Sequence, residues 1–150
     1  AFQIIYGYIY VMIGAIITAF LLGLLPGAAA GAKWGAASKA KLGLSEGALL
    51  VMSAAFLCWS GWFKVALHPA WFLVFCFAFS FFSGFQFPVV ARMIGEDQSP
   101  AAGCLAADLC GAAVGALVVG TILIPLWGVG TAVLLIILVK VSSSLLLLFR

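Results

Sequence analysis

Charge is the scarcest thing in this chain. It has seven Lys and Arg and four Asp and Glu in 150 residues, so only 7% of positions are charged. A water-soluble domain carries about 25%. With 67% hydrophobic residues, no soluble fold would hide the apolar surface, and lipid must be the solvent. The basic residues are too few and too scattered for a nucleic-acid footprint. Histidine is nearly absent: His68 stands alone, so the chain lacks the two axial ligands of a self-contained cytochrome b-type subunit. The four cysteines, Cys58, Cys76, Cys104 and Cys110, form no C-x-x-C pair and lie inside apolar runs. They read as small buried hydrophobes. Cys104 and Cys110 are six apart and share no helix face, which argues against a metal pair.

What is present is membrane-length apolar sequence. A spanning helix needs about 20 apolar residues, and five segments qualify: about 4–32, 47–67, 70–91, 101–124 and 129–149. The expectation is an all-α fold, a polytopic transmembrane helical bundle of about five spanning helices in one domain over 1–150. Pro26 is expected to kink the first span and Pro125 to stop the fourth. Residues 33–46 read as a loop holding Lys33, Lys39 and Lys41 against Glu46. A second loop follows Arg92 and carries Glu96 and Asp97. Basic residues favour the cytoplasmic side. This places both loops and Arg150 inside and the N-terminus outside, with Lys64 the exception, snorkelling from a helix end. The expected location is a bacterial inner membrane. Trp34, Trp62, Trp71 and Trp127 fall near span ends, as an aromatic belt would. The opening AFQIIYGYIY has no Met and no signal-peptide pattern, which points to a processed chain or a piece of a longer one.

Three features invite a role. Gly23, Gly27, Gly31 and Gly35 are spaced by four, so they share a helix face and suit close helix packing. Gly103, Ala107, Gly111 and Gly115 repeat that spacing in the fourth span. Asp108 lies beside this second stripe, on the order of 10 Å into the span at 1.5 Å per residue. A lone intramembrane carboxylate is costly unless protonated, hydrated or paired. Lys140 in the next span is the expected partner, with a cap or a hydroxyl bond as the alternative. The third feature is GFQFPVVARM, residues 84–93. Gly84 and Pro88 are expected to loosen or end the third span, leaving Gln86 and Arg92 as candidate polar lining.

These residues also resemble a family. GFQFPVVARM, a short polar loop and then AAGCLAADLCGAAVGALVVGTILIPLWGVGTAVLLI look like the membrane region of fused MFS/spermidine-synthase-like proteins. That family has a Gly-x-x-Phe-Pro segment and then a small-residue span of the form G-x-L-Y-A-A-(N/D)-x-x-G-A-x-x-G-A, ending in L-I-P-x-x-G. Ala106 takes the usual aromatic place, Asp108 the Asn/Asp place, Gly111 and Gly115 the two glycines, and Pro125 and Gly128 the terminal pair. The resemblance is weaker in residues 1–83. It implies a membrane bundle and a half-transporter architecture. Aminopropyl transfer in that family belongs to a separate soluble Rossmann-like domain, of which nothing is visible here.

The expected role is therefore a non-catalytic integral membrane subunit or domain that scaffolds a larger assembly. Its expected partners are the lipid bilayer and other membrane subunits, with no cofactor, metal or nucleic acid. Two alternatives stand beside it. One is a transporter-like half-bundle with Asp108 and Lys140 on a polar path. The other is an accessory subunit of a respiratory or photosynthetic redox complex, with contacts near His68 and the tryptophans.

Overall fold

The computed structural model describes residues 2–34, 39–62, 69–94 and 100–149. Gly35, Lys64, His68, Glu96, Asp97 and Arg150 lie outside the described residues. Within them the chain is all helical: α1 (Phe2–Lys33), α2 (Lys39–Trp62), α3 (Pro69–Ile94), α4 (Pro100–Val118), a π-helical turn at Val119–Leu123, and α5 (Ile124–Phe149). Four stretches are long and apolar enough to cross a membrane: Tyr10–Lys33, Lys39–Trp59, Ala70–Ile94 and the 44-residue Ala102–Leu145. That is one fewer than expected, because the fourth and fifth expected spans follow each other without a loop in one stretch that is kinked at Gly128.

The reason lies around Pro125. Proline offers no N–H to the carbonyl four residues earlier and its ring crowds that carbonyl. Here the helix widens instead of stopping. The Ile124 N–H donates to the Val119 carbonyl, a π-type bond, and Pro125 falls in the first turn of α5. The true break comes at Gly128, with φ 78 and ψ 171. That conformation is strained for any residue with a Cβ. A straight helix of this length would measure about 66 Å, twice the hydrocarbon thickness of about 30 Å.

Prolines elsewhere do not end helices either. α1 runs through Pro26 and α3 through Pro88. The lysine-bearing segment, expected as a loop, is helical from Lys39 onward. Leu42, Ser45, Glu46, Leu49 and Ser53 are its buried positions. Their spacing of three and four marks one helix face, and Ala, Lys, Leu and Glu are good helix formers.

The centre of the molecule is α3, which packs against α1, α2 and α4, while α5 packs on α2. Among the described residues, α4 and α5 do not pack on each other. α1 and α3 run parallel, since Gly23 faces Phe77 and Ser80, Gly27 faces Phe81, and Gly31 faces Phe85 and Pro88. α2 runs antiparallel to α3. Phe56 stacks on Phe75 at 5.2 Å between ring centroids, and Leu42 clusters with Phe85 and Val89.

The α1–α3 contact is a seam of backbone on backbone. A methyl group added at Gly23, Gly27 or Gly31 would fall inside 3.0 Å of a main-chain oxygen of α3. One added at Gly84 would meet the Leu24 carbonyl in the same way. The α3 side of the seam is Ser80, Gly84 and Pro88, again spaced by four. Ser80 is fully buried and donates its hydroxyl to the Phe77 carbonyl at 2.9 Å, so it presents little bulk. In lipid no hydrophobic effect drives helices together. Close van der Waals contact and Cα–H···O contacts do so, and small residues permit both. The first glycine stripe is thus a packing stripe at Gly23, Gly27 and Gly31. Gly84 and Pro88, expected to terminate α3, are part of its partner face.

The second stripe behaves differently. A Cβ at Gly103, Gly111 or Gly115 would meet nothing within 4 Å. Ala107 is exposed. Among the described residues no other helix closes on Gly103, Gly111 or Gly115. The pair of stripes makes a controlled test. Gly27→Ala should cost about 1–3 kcal/mol through overpacking. Gly111→Ala should be neutral or slightly stabilising through helix propensity. Reversible chemical unfolding in mixed micelles reads both, and equal stabilities for the two variants would refute the seam.

Candidate functional site

Two polar sets stand out among the described residues, one between α2 and α5 and one among α1, α3 and α4. The first is an ion pair that ties α5 to α2. Lys140 Nζ donates to both carboxylate oxygens of Glu46, at 2.9 and 3.0 Å. The Glu46 side chain is 10% exposed and that of Lys140 is 30% exposed. Glu46 lies seven residues into α2, about 10 Å at 1.5 Å per residue. Lys140 lies nine residues before the end of α5, at a matching depth. This corrects the expected Asp108–Lys140 pair. α4 leans on α3 and α5 on α2, so the two charges sit on different flanks, and Lys140 finds the acid on its own flank. A cavity of about 470 Å³ adjoins the pair, bounded by Lys39, Gly43, Gly47, Leu50 and Ser144. The buried Ser144 hydroxyl has no hydrogen-bond partner among the described residues.

The second set surrounds a cavity of about 620 Å³ between α1, α3 and α4. Its walls include Leu24 and Ala28 from α1, Gly84 and Gln86 from α3, and Ala107 and Asp108 from α4. Cys104 and Gly103 also line it. The walls are mainly apolar, with Gln86 and Asp108 as the strongest polar groups. Gln86 lies eight residues before the end of α3, and Asp108 lies eight residues after the start of α4. Each is therefore about 12 Å from the same end of the bundle. The Gln86 Nε2 is buried without a hydrogen-bond partner among the described residues. An orphaned donor of this kind costs about 1–3 kcal/mol. Asp108 is exposed, and no described residue forms a salt bridge with it. A carboxylate at that depth is costly in hydrocarbon, so the cavity concentrates two unmet polar demands.

Arg92, expected as cavity lining, serves elsewhere. It is exposed and donates to the Ala32 carbonyl at the C-terminal end of α1. Lys41 donates to the Trp34 carbonyl just beyond the same end. Carbonyls at a helix C-terminus lack intrahelical partners and carry the negative end of the dipole. Both cations therefore act as C-terminal caps for α1. Trp34, expected in an interfacial belt, also stands edge-on to Phe85 with ring centroids 5.6 Å apart.

Glu46 is the polar residue that sequence reading placed wrongly, in a loop opposite the lysines. A signal was available: Glu46 falls in register with Leu42 and Leu49 on one helical face. No three His, Cys, Asp or Glu side chains group into a metal site among the described residues. No family model, no curated protein and no solved structure matches this chain.

The ion pair predicts a measurable coupling. Removing Glu46 alone, as Glu46→Ala, strands an ammonium and should cost about 2 kcal/mol. This is below the about 3–5 kcal/mol of a fully dry pair, because Lys140 keeps some exposure. The double variant Glu46→Ala/Lys140→Ala should cost less than the sum of the single variants. A double-mutant cycle of unfolding free energies measures this, and additivity would show that the pair holds nothing together.

Proposed function

We propose that this chain is a non-catalytic integral membrane subunit or membrane domain that scaffolds a larger membrane assembly. The observation that carries the reading is the unpartnered face of α4. A Cβ added at Gly103, Gly111 or Gly115 would meet nothing within 4 Å among the described residues, whereas the same spacing in α1 makes a contact too close for any Cβ. Small residues let another helix approach closely, and around Gly111 and Gly115 the face they form on α4 is open among the described residues. Val114 and Val118 are exposed on the same face of α4, so a partner helix would find both a groove and apolar contact.

In this reading the break at Gly128 returns the chain across the bilayer, giving five crossings. The end that holds Lys33, Lys39, Lys41 and Arg92 faces the cytoplasm by the positive-inside rule, which leaves the N-terminus outside and the C-terminus inside. A bacterial inner membrane suits that arrangement. The likeness of residues 84–130 to the membrane region of MFS/spermidine-synthase-like proteins supports a membrane domain that works beside other parts.

A second reading is a transporter-like half-bundle. The cavity holding Asp108 and Gln86 favours it. Lys140, bound to Glu46 on the other flank, is not part of that path. Transporter sites commonly form where two structural repeats meet near the bilayer midplane, so a half-bundle would need a second unit.

Native mass spectrometry of the protein, gently extracted from its own membrane, tests the scaffold reading. Other subunits in fixed ratio are expected, and Gly111→Leu with Gly115→Leu should release them while the chain keeps its own stability. A homo-oligomer alone, unchanged by those substitutions, would overturn the scaffold. Asp108→Asn separates the two readings: it should leave assembly intact in a scaffold and abolish coupled solute movement in a transporter.

A further inference from the structure

The cavity between α1, α3 and α4 presents a specific chemical pattern. One wall offers a carboxylate, Asp108, that no described residue neutralises through a salt bridge. The opposing helix contributes Gln86 to the lining, with its Nε2 sealed behind the wall and without a hydrogen-bond partner among the described residues. The remaining walls are mainly aliphatic, with Leu24, Ala28, Val90 and Leu105 among them. At about 620 Å³ the space falls in the size range of small-molecule sites, where a few convergent polar groups orient a mostly apolar ligand.

We propose that this cavity binds an amphiphilic amine. Its ammonium group pairs with Asp108, and its hydrocarbon part lies against Leu24, Ala28, Val90 and Leu105. An anion would face the Asp108 carboxylate, and a pure hydrocarbon would leave it unpaired. Primary or secondary ammonium heads reach such a site from two sources, a free amphiphile dissolved in the bilayer or a lipid with an ethanolamine head. The inference uses only groups within this chain and does not depend on whether the chain scaffolds or transports.

Cys104 lines the same cavity, and Cys110, six residues on, is exposed and does not line it. Together they form a built-in reporter and control. The experiment uses the full chain in phosphatidylcholine nanodiscs. One variant keeps only Cys104, the other only Cys110, with alanine at the remaining cysteines. The rate of N-ethylmaleimide modification is followed as N-dodecylethanolamine is added. Saturating probe should slow Cys104 by about tenfold or more and leave Cys110 unchanged. Asp108→Asn should raise the half-protecting concentration about tenfold, equivalent to about 1.4 kcal/mol. Dodecanol, the neutral analogue, should not protect. Slow Cys104 modification in phosphatidylethanolamine discs without probe, relieved by Asp108→Asn, would identify a lipid head as the occupant and support the site. Equal protection by dodecanol, protection insensitive to Asp108→Asn, or no protection at all would each overturn the proposal.

Discussion

The contact between α1 and α3 is the constraint on which the rest of the structure depends. Two parallel helices meet along Gly23, Gly27 and Gly31 on one side and Ser80, Gly84 and Pro88 on the other, so closely that no Cβ fits at the glycines. This fixes both the register and the depth of α3. The other main contacts are built outward from α3: α2 stacks its Phe56 and Leu42 on it, α4 leans on its C-terminal half, and α5 reaches it only through α2. In a bilayer such a seam has no hydrophobic gain behind it. Its strength comes from dispersion between surfaces without side chains in the way.

The polar residues show how expensive groups are settled in lipid. Glu46 and Lys140 settle each other's charge and hold α5 against α2. Arg92 and Lys41 settle on the free carbonyls at the end of α1. Gln86 Nε2 and Asp108 find no such partner among the described residues, and both residues line one cavity. The contrast between satisfied and unsatisfied groups, more than the identity of any one residue, separates structure from candidate function.

The same contrast runs through the glycines. Identical four-residue spacing produces an interface too close for any Cβ in α1 and an open face in α4. The spacing creates a surface that allows close approach, and the availability of a partner decides whether it is used. An open small-residue face with exposed Val114 and Val118 on it is what a membrane subunit would keep for another chain.

The class of the molecule was legible without coordinates. Scarce charge and long apolar runs leave a membrane helical bundle as the physical solution, because lipid offers no partner to an unpaired backbone. The period-four glycines of the first span likewise announced a packing face. Three things were decided only by the tertiary structure. Lys140 took Glu46 over Asp108, because the choice depends on which flank of α3 each helix occupies, and spacing along the chain carries no such information. Gly84 and Pro88 became an interface where local rules read a helix end, because α1 supplies the surface that they meet. The last two expected spans became one stretch broken at Gly128, because a π-type turn accommodated Pro125. In each case local propensity set what was possible, and the position of a distant helix selected among the possibilities.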